Sequence, residues 1–273
     1  MSLVFSTGLT EPRETHMKKW NPDLYLKYES ERTQPSYDLV SRVDIVSPAD
    51  IIDIGCGPGN STRVLRERWP NAHIVGLDSS PEMIAKAQNS YPQGEWIVAD
   101  AANWKTDVRY DIVFSNAALQ WIPHHQVLLR ALFDHVKEGG ALAIQVPAND
   151  DSPLQQAVLK VSQTEQWLAP MAGCQKLLTY RKAGFYYDQL SSVSKRISIW
   201  HTTYYHVMAD HQGLLDWYAG TGMRPYLERL QNENQKHLFQ SQVLEECRPG
   251  YPEQQDGNIL FPFKRLFIIA YKE

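Results

Sequence analysis

The sequence has few of the features that mark secreted, metal-binding or membrane proteins. Its 273 residues include three cysteines, Cys56, Cys174 and Cys247, whose spacing suggests neither a disulfide framework nor a zinc site. No apolar run approaches the ~20 residues of a membrane helix, and the N-terminus lacks the apolar segment of a signal peptide. We therefore expect a cytoplasmic protein with no metal site and no membrane-spanning segment.

The sequence also lacks an excess of positive charge. It carries 27 Lys and Arg against 31 Asp and Glu, for a formal net charge of −4, and the cationic residues are spread along the chain. Because nucleic-acid-binding proteins usually present a basic face, we expect no nucleic-acid partner. Residues 1–19 show no periodicity and are expected to form a disordered or tag-like extension. A monomer or weak homodimer is expected.

Between residues 50 and 146, short apolar runs alternate with segments of helical length. Strands are predicted at 51–54, 73–77, 95–98, 111–115 and 141–146. Helices are predicted after Gly59, from Ser80-Pro81, and at 126–136, where Gly139-Gly140 is the expected stop. This alternation predicts an α/β, doubly wound, mostly parallel sheet with helices on both faces, whose ligands bind beyond the carboxyl ends of the strands.

The rest of the chain is less regular. Residues 196–207 and 265–271 alternate like strands, which brings the predicted sheet to seven strands, whereas 154–167, 211–218 and 228–246 are predicted helices. We interpret these helices as a lid, at about 150–192 and 208–250, inserted into a single domain that spans residues 20–273.

A glycine-rich loop follows the first predicted strand, with the sequence Asp53-Ile-Gly55-Cys-Gly57-Pro-Gly59. Glycines there permit a tight turn and close approach of a ligand, and the following helix start favours a negative group. The spacing G-x-G-x-G differs from the G-x-G-x-x-G of dinucleotide enzymes, which argues against a nicotinamide oxidoreductase. Asp78, Asp100 and Asn116 each end a later strand, where one ligand could contact all three. A lone aspartate is more often a cap or turn residue, but the set together favours a nucleoside site.

The loop matches motif I of class I S-adenosylmethionine-dependent methyltransferases, and the strand order resembles their seven-stranded sheet. The resemblance implies S-adenosyl-L-methionine as cofactor and S-adenosyl-L-homocysteine as product. It places Asp78 at the ribose, Asp100 at the adenine amino group and Asn116 near the methionine moiety. Arg32 would meet the methionine carboxylate but could be an ordinary exposed arginine, and Met83 could equally be a core residue. The expected cofactor-binding residues are Tyr25, Arg32, Asp53, Gly55, Gly57, Gly59, Asp78, Ser79, Met83, Asp100, Ala101 and Asn116.

A narrower resemblance extends from Trp20 nearly to the end of the chain. The segments Glu31-Arg-Thr33, Leu119-Gln-Trp121, Thr202-Thr-Tyr-Tyr-His206, Thr221-Gly-Met-Arg-Pro225 and Arg265-Leu-Phe267 are similar to the trans-aconitate 2-methyltransferase family. This resemblance implies methyl transfer to one carboxylate of trans-aconitate or a similar small polycarboxylic acid, giving a monomethyl ester. Such an acceptor is already ionised and needs cationic clamps more than a general base. The expected substrate-binding residues are Gln120 and Trp121, which would position the acceptor, and Tyr204, Tyr205, Arg224 and Arg265.

Several alternatives stay open. Adjacent residues on a strand face opposite sides, so at most one of Tyr204 and Tyr205 is expected to reach the substrate. Arg224 could instead pair on the surface, and Arg265 could end its strand in solvent. Gln34 and His201 stand where the family often has arginine, which leaves a mono- or dicarboxylate possible. An amine or hydroxyl acceptor is the second hypothesis, and a non-catalytic cofactor-binding protein is the third.

Overall fold

The computed structural model describes residues 29–273 of the chain. Seven strands of this part form one sheet, in the order β3-β2-β1-β4-β5-β7-β6. Strands β1 to β5 pair in parallel, and β7 lies antiparallel between β5 and β6. The predicted α/β, doubly wound, mostly parallel sheet is confirmed. The strands are β1 Asp50–Ile54, β2 His73–Asp78, β3 Glu95–Val98, β4 Tyr110–Asn116, β5 Val136–Pro147, β6 Arg196–Met208 and β7 Ile259–Tyr271.

Several helices begin where the sequence provides a capping side chain. Ser80 accepts a hydrogen bond from the backbone N–H of Met83, and Pro81 occupies the first helical position, where its missing N–H costs nothing. Ser152 and Pro153 repeat this arrangement. The helices are α1 Glu29–Ser41, α2 Asn60–Arg68, α3 Pro81–Ser90, α4 His125–Asp134, α5 Pro153–Ser162, α6 Glu165–Leu168, α7 Ala183–Leu190, α8 His211–Ala219, α9 Arg224–Leu227 and α10 Glu233–Cys247.

The two faces of the sheet are covered by different helices. Successive strand residues face opposite sides, so Ile51 packs with α1 and α2 whereas Ile52 packs with α4 and α7. A third cluster of buried side chains joins α5, α6, α8, α9 and α10 to the first half of β7, with Trp217, Phe239 and Phe261 at its centre. Helix α7 lies within the predicted lid segment 150–192 but packs on the sheet through Tyr186 and Leu190.

Four boundaries differ from the predictions. Gly139-Gly140 does not end a helix: α4 ends at Asp134, and both glycines lie inside β5, which begins at Val136. The predicted helix at 154–167 is broken between α5 and α6. Asn232 caps α10, which therefore begins at Glu233 and not at 228. Strand β7 begins at Ile259, six residues before the predicted start at 265, because its first half pairs with the second half of β6, from Thr203 to Met208.

Tyr25 and the predicted extension at 1–19 lie outside the described residues. Within the described part of the chain, no helix is both long and apolar enough to cross a membrane. No group of three or more metal-ligating side chains occurs in the same part.

Candidate active site

A cavity of about 430 Å³ opens where the carboxyl ends of β1, β2 and β4 meet the helical cluster. This volume lies within the usual range for small-molecule sites. The wall includes most of the predicted site residues, namely Arg32, Gly55, Gly57, Asp78, Ser79, Met83, Asp100, Ala101, Asn116, Gln120, Trp121, Arg224 and Arg265.

The glycine loop forms one wall, and its first two glycines are required for different reasons. Both have positive φ, +72° at Gly55 and +55° at Gly57. A Cβ on Gly55 would lie 2.2 Å from the Cβ of Ala118, so this residue permits the loop to contact the segment after β4. A Cβ on Gly57 would meet nothing within 4 Å. Open space therefore lies beside the backbone of Gly57, where a ligand can approach closely.

Asp78 at the end of β2 is fixed by two backbone donors. Its Oδ2 accepts the N–H of Gly57 at 2.9 Å, and its Oδ1 accepts the N–H of Ser80 at 2.8 Å. A carboxylate offers about four acceptor positions, so both oxygens can still accept a hydrogen bond from a ligand hydroxyl. This geometry fits the two adjacent hydroxyls of a ribose.

Asp53 and Gly59 do not line the cavity, in contrast to the prediction. Asp53 is fully buried and accepts hydrogen bonds from Ser61 Oγ and Thr62 Oγ1, each at 2.6 Å. Burial raises the pKa of this carboxyl to about 6. Asp53 thus fixes the first turn of α2 to β1, while Gly59 packs against Trp96. The sequence prediction missed cavity residues beside them, among them Asn60 and Ser61.

Polar side chains after β3 and at the end of β4 also line the cavity. Asp100 accepts hydrogen bonds from the N–H of Ala102 and from Asn103, so it is a turn residue as well as a cavity residue. Asn116 Oδ1 and Gln120 Oε1 are buried and have no hydrogen-bond partner among the described residues. The Gln120 amide nitrogen donates to the carbonyl of Ala117 at 2.7 Å, which fixes the orientation of that side chain.

Three arginines also line the cavity. The guanidinium of Arg265, which is only 4% exposed, donates to Gln145 Oε1 at 3.3 Å and lies 4.7 Å from the ring centroid of Phe263. The Arg224 guanidinium lies 5.4 Å from the Trp121 ring. Arg32 lies 5.2 Å from the Trp217 ring, so α1 contacts α8 across the cavity. Cation–π contacts of this kind restrict the positions of arginine side chains.

Tyr204 and Tyr205 do not line the cavity. They face opposite sides, as predicted: the Tyr204 hydroxyl donates to the carboxylate of Asp38 on α1, and Tyr205 is 64% exposed. The neighbouring His206 is buried and stacks on Trp217 with ring centroids 4.5 Å apart. Burial, with the positive charge of Arg265, lowers the pKa of His206 to about 4.

The helical cluster contributes cavity residues that the prediction missed. Trp217, Gly220 and Thr221 come from the end of α8 and the following turn, and Phe263 comes from β7. Thr221 lies in a segment with family resemblance, but no local pattern in the sequence indicates that this segment lines the same cavity as the glycine loop. Glu228, four residues after Arg224, also lines the cavity.

Comparison with known proteins agrees with this geometry. A family model described as "Methyltransferase domain" matches residues 51–140. The chain is 41% identical over 256 residues to a trans-aconitate 2-methyltransferase of Azoarcus sp. (strain BH72), covering 94% of this chain and 100% of the relative. It is 40% identical over 254 residues to the enzyme of that name from Escherichia coli O157:H7, covering 93% and 98%.

Among solved structures, the fold is similar to the YcgJ protein of Bacillus subtilis, with a TM-score of 0.57 at 13% identity, covering 88% of this chain and 99% of that one. Sheet, glycine loop and family model together make the chain a class I S-adenosylmethionine-dependent methyltransferase. Its sequence is about 40% identical to its relatives over nearly its whole length, and the chain belongs to the trans-aconitate 2-methyltransferase family.

Proposed function

We propose that this enzyme transfers a methyl group from S-adenosylmethionine to one carboxylate of trans-aconitate or a closely similar polycarboxylic acid, giving a monomethyl ester. The observation that carries the proposal is the distribution of charge along the cavity. Asp78, Glu82 and Asp100 come from β2, α3 and the turn after β3, on one side of β1 in the sheet. Arg265 comes from β7, on the other side of β1, and Arg32 and Arg224 come from helices that contribute to the same cavity. The acidic end suits the hydroxyl and amino donors of a nucleoside, and the arginines suit carboxylates.

The residues at the acidic end fit the cofactor. The open space at Gly57 and the remaining acceptor capacity of Asp78 support a nucleoside placed over the loop, with Asp100 and Ala101 at the base and Met83 packed on it. Arg32 is proposed to meet the methionine carboxylate, and the buried Asn116 Oδ1 to accept from the methionine ammonium. When bound, the cofactor supplies a methyl group on an electron-poor sulfonium.

At the other end, Arg265 and Arg224 are proposed to hold the carboxylates of the acid, and Gln120 and Trp121 to position the reacting one. A carboxylate oxygen then forms a bond to the methyl carbon while the bond from that carbon to sulfur breaks, leaving S-adenosylhomocysteine. Because the carboxylate is already ionised near neutral pH, no proton is transferred. The work of the protein is to align the two reactants.

The helices of the cluster, α5, α6 and α8 to α10, are proposed to act as a lid on the single domain. Support comes from α8 and the turn after it, since Trp217 and Thr221 form part of the cavity wall. Such a lid would exclude water from the site. A cytoplasmic location is proposed because all three cysteines are free and buried. The expectation of a monomer or weak homodimer stays a prediction that sedimentation tests.

The test is incubation of purified protein with S-adenosylmethionine and trans-aconitate, with products identified by mass. The expected product is one methyl ester, formed with equimolar S-adenosylhomocysteine and hydrolysed by mild alkali. A methyl group that resists alkali, or cofactor binding without methylation of any acid, would contradict the proposal.

A further inference from the structure

A negative charge lies among the arginines of the cavity. Glu228 follows the end of α9, and its Oε1 contacts Arg224 Nε at 2.9 Å. Both residues line the cavity, and their side chains are 42% and 33% exposed. Because the guanidinium of Arg224 also lies over the Trp121 ring, the carboxylate of Glu228 is held beside the proposed acceptor position.

The position of Glu228 opposes anion binding in two ways. Its carboxylate already occupies one donor of Arg224, so an acid must compete for that side chain. Its charge also repels every carboxylate of a bound acid, and this repulsion grows with the charge of the acid. Arg265 donates a hydrogen bond to the amide oxygen of Gln145.

We propose that Glu228 is a specificity-determining residue that weakens the binding of highly charged acids relative to less charged ones. This inference rests on the proposed function, since it assumes an acid at the arginine end of the cavity. Arg224 attracts the carboxylates of the bound acid. The negative charge of Glu228 reduces this attraction, and the reduction is largest for a tricarboxylate. The enzyme would thereby accept dicarboxylates more readily than the three cavity arginines alone imply.

The decisive variant is Glu228→Gln, because glutamine keeps a hydrogen-bond acceptor for Arg224 Nε while removing the charge. We expect the KM for trans-aconitate to fall about three- to tenfold, as suits a partly screened charge, with kcat unchanged. The KM for a dicarboxylate should fall less, and that for a monocarboxylate should hardly change. The Kd for S-adenosylhomocysteine should stay the same.

The matched control is Asp134→Asn. Asp134 pairs with Arg130 at the same i,i+4 spacing, and neither residue lines the cavity. This variant makes the same change in net charge and should leave every KM unchanged. Glu228→Ala separates charge from positioning. If alanine raises the KM while glutamine has no effect, Glu228 holds Arg224 in place and the proposal is overturned.

Direct measurements of acid binding distinguish a failure of this proposal from a failure of the proposed function. The Kd of each acid is measured by calorimetry on protein loaded with S-adenosylhomocysteine, which requires no turnover. Binding without methylation would contradict the proposed function, while the ratio of Kd values in Glu228→Gln and wild type would still decide the role of Glu228. An equal change for all three acids, or none, would overturn the proposal, as would failure of every acid to bind.

Discussion

The carboxylate of Asp78, at the end of β2, accepts the backbone N–H of Gly57 at 2.9 Å, which joins the second strand to the middle of the glycine loop. This contact fixes the loop and the carboxylate relative to each other before any ligand binds. A nucleoside therefore meets a preformed set of acceptors.

Replacing Asp78 by asparagine tests this role. Asparagine has one acceptor oxygen in place of two, so it cannot serve both backbone donors and two ligand hydroxyls. We expect S-adenosylmethionine to bind about 10- to 100-fold more weakly, which corresponds to the loss of one or two hydrogen bonds to a charged group. Calorimetry measures the Kd, and Asp107→Asn, at an exposed loop position, is the control. Equal cofactor affinity in both variants would rule out the assignment.

Two alanine substitutions distinguish packing from ligand approach in the loop. Gly55→Ala places a Cβ against Ala118 and should lower both the free energy of unfolding and cofactor affinity. Gly57→Ala meets no protein atom, so its cost to folding should be limited to the strain of positive φ, about 1–2 kcal/mol. Its cofactor affinity should nevertheless fall strongly. Chemical denaturation and calorimetry check the pair, and full cofactor affinity in Gly57→Ala would disprove close approach there.

Gln145 is expected to position Arg265. Gln145→Leu removes the oxygen that accepts from Arg265 Nη1 and leaves a fully buried side chain of similar size. The KM for trans-aconitate should rise several-fold while the Kd for the cofactor stays unchanged. Gln145→Glu should raise the KM further, because a carboxylate there would neutralise Arg265. Steady-state kinetics measures the KM of both variants. A rise in the cofactor Kd equal to the rise in KM would indicate that the substitution disrupts the whole site and not only the position of Arg265.

His206 makes stability depend on pH. Its folded pKa is about 4, below the ordinary 6.5, so from about pH 6.5 downward the unfolded chain binds a proton that the folded chain excludes. The free energy of unfolding should therefore fall as the pH falls from 6.5 to 4, by up to about 3 kcal/mol. The raised pKa of Asp53 acts in the opposite direction over a similar range. His206→Phe isolates the effect, because Asp53 is present in both proteins.

Urea denaturation of wild type and His206→Phe from pH 7.5 to 4 gives the measurement. The stability of the wild type relative to the variant should be constant above pH 7 and decrease below 6.5. A difference that does not vary with pH would mean that His206 is solvated in the folded protein.

The sheet and the cofactor end could be predicted from the sequence because their signals are local. Buried strands such as β1 carry adjacent apolar residues, and Asp78, Asp100 and Asn116 lie at or just after the ends of strands that must share one edge. The arginines of the cavity were predicted as site residues only from the family resemblance. Gly139-Gly140 misled the prediction because glycines typical of a helix end can also lie inside a strand.

The rest depends on tertiary packing that no local pattern specifies. Asp53 stands in the glycine motif, yet its side chain faces Ser61 and Thr62 because α2 folds back over β1. Tyr204 stands in a segment of strong family resemblance, but its hydroxyl contacts Asp38, a residue 166 positions earlier. Glu228 is far from the glycine loop in the sequence, yet both line the same cavity.

The arginine end of the cavity is proposed to accept a polycarboxylate for methylation. The most direct measurement is a competition in which the enzyme receives S-adenosylmethionine and an equimolar mixture of trans-aconitate, a dicarboxylate, a primary amine and a phenol, with methylated products quantified by mass. We predict that methyl esters of the acids form alone, with the ester of trans-aconitate prominent among them. A methylated amine or phenol as the main product would contradict it.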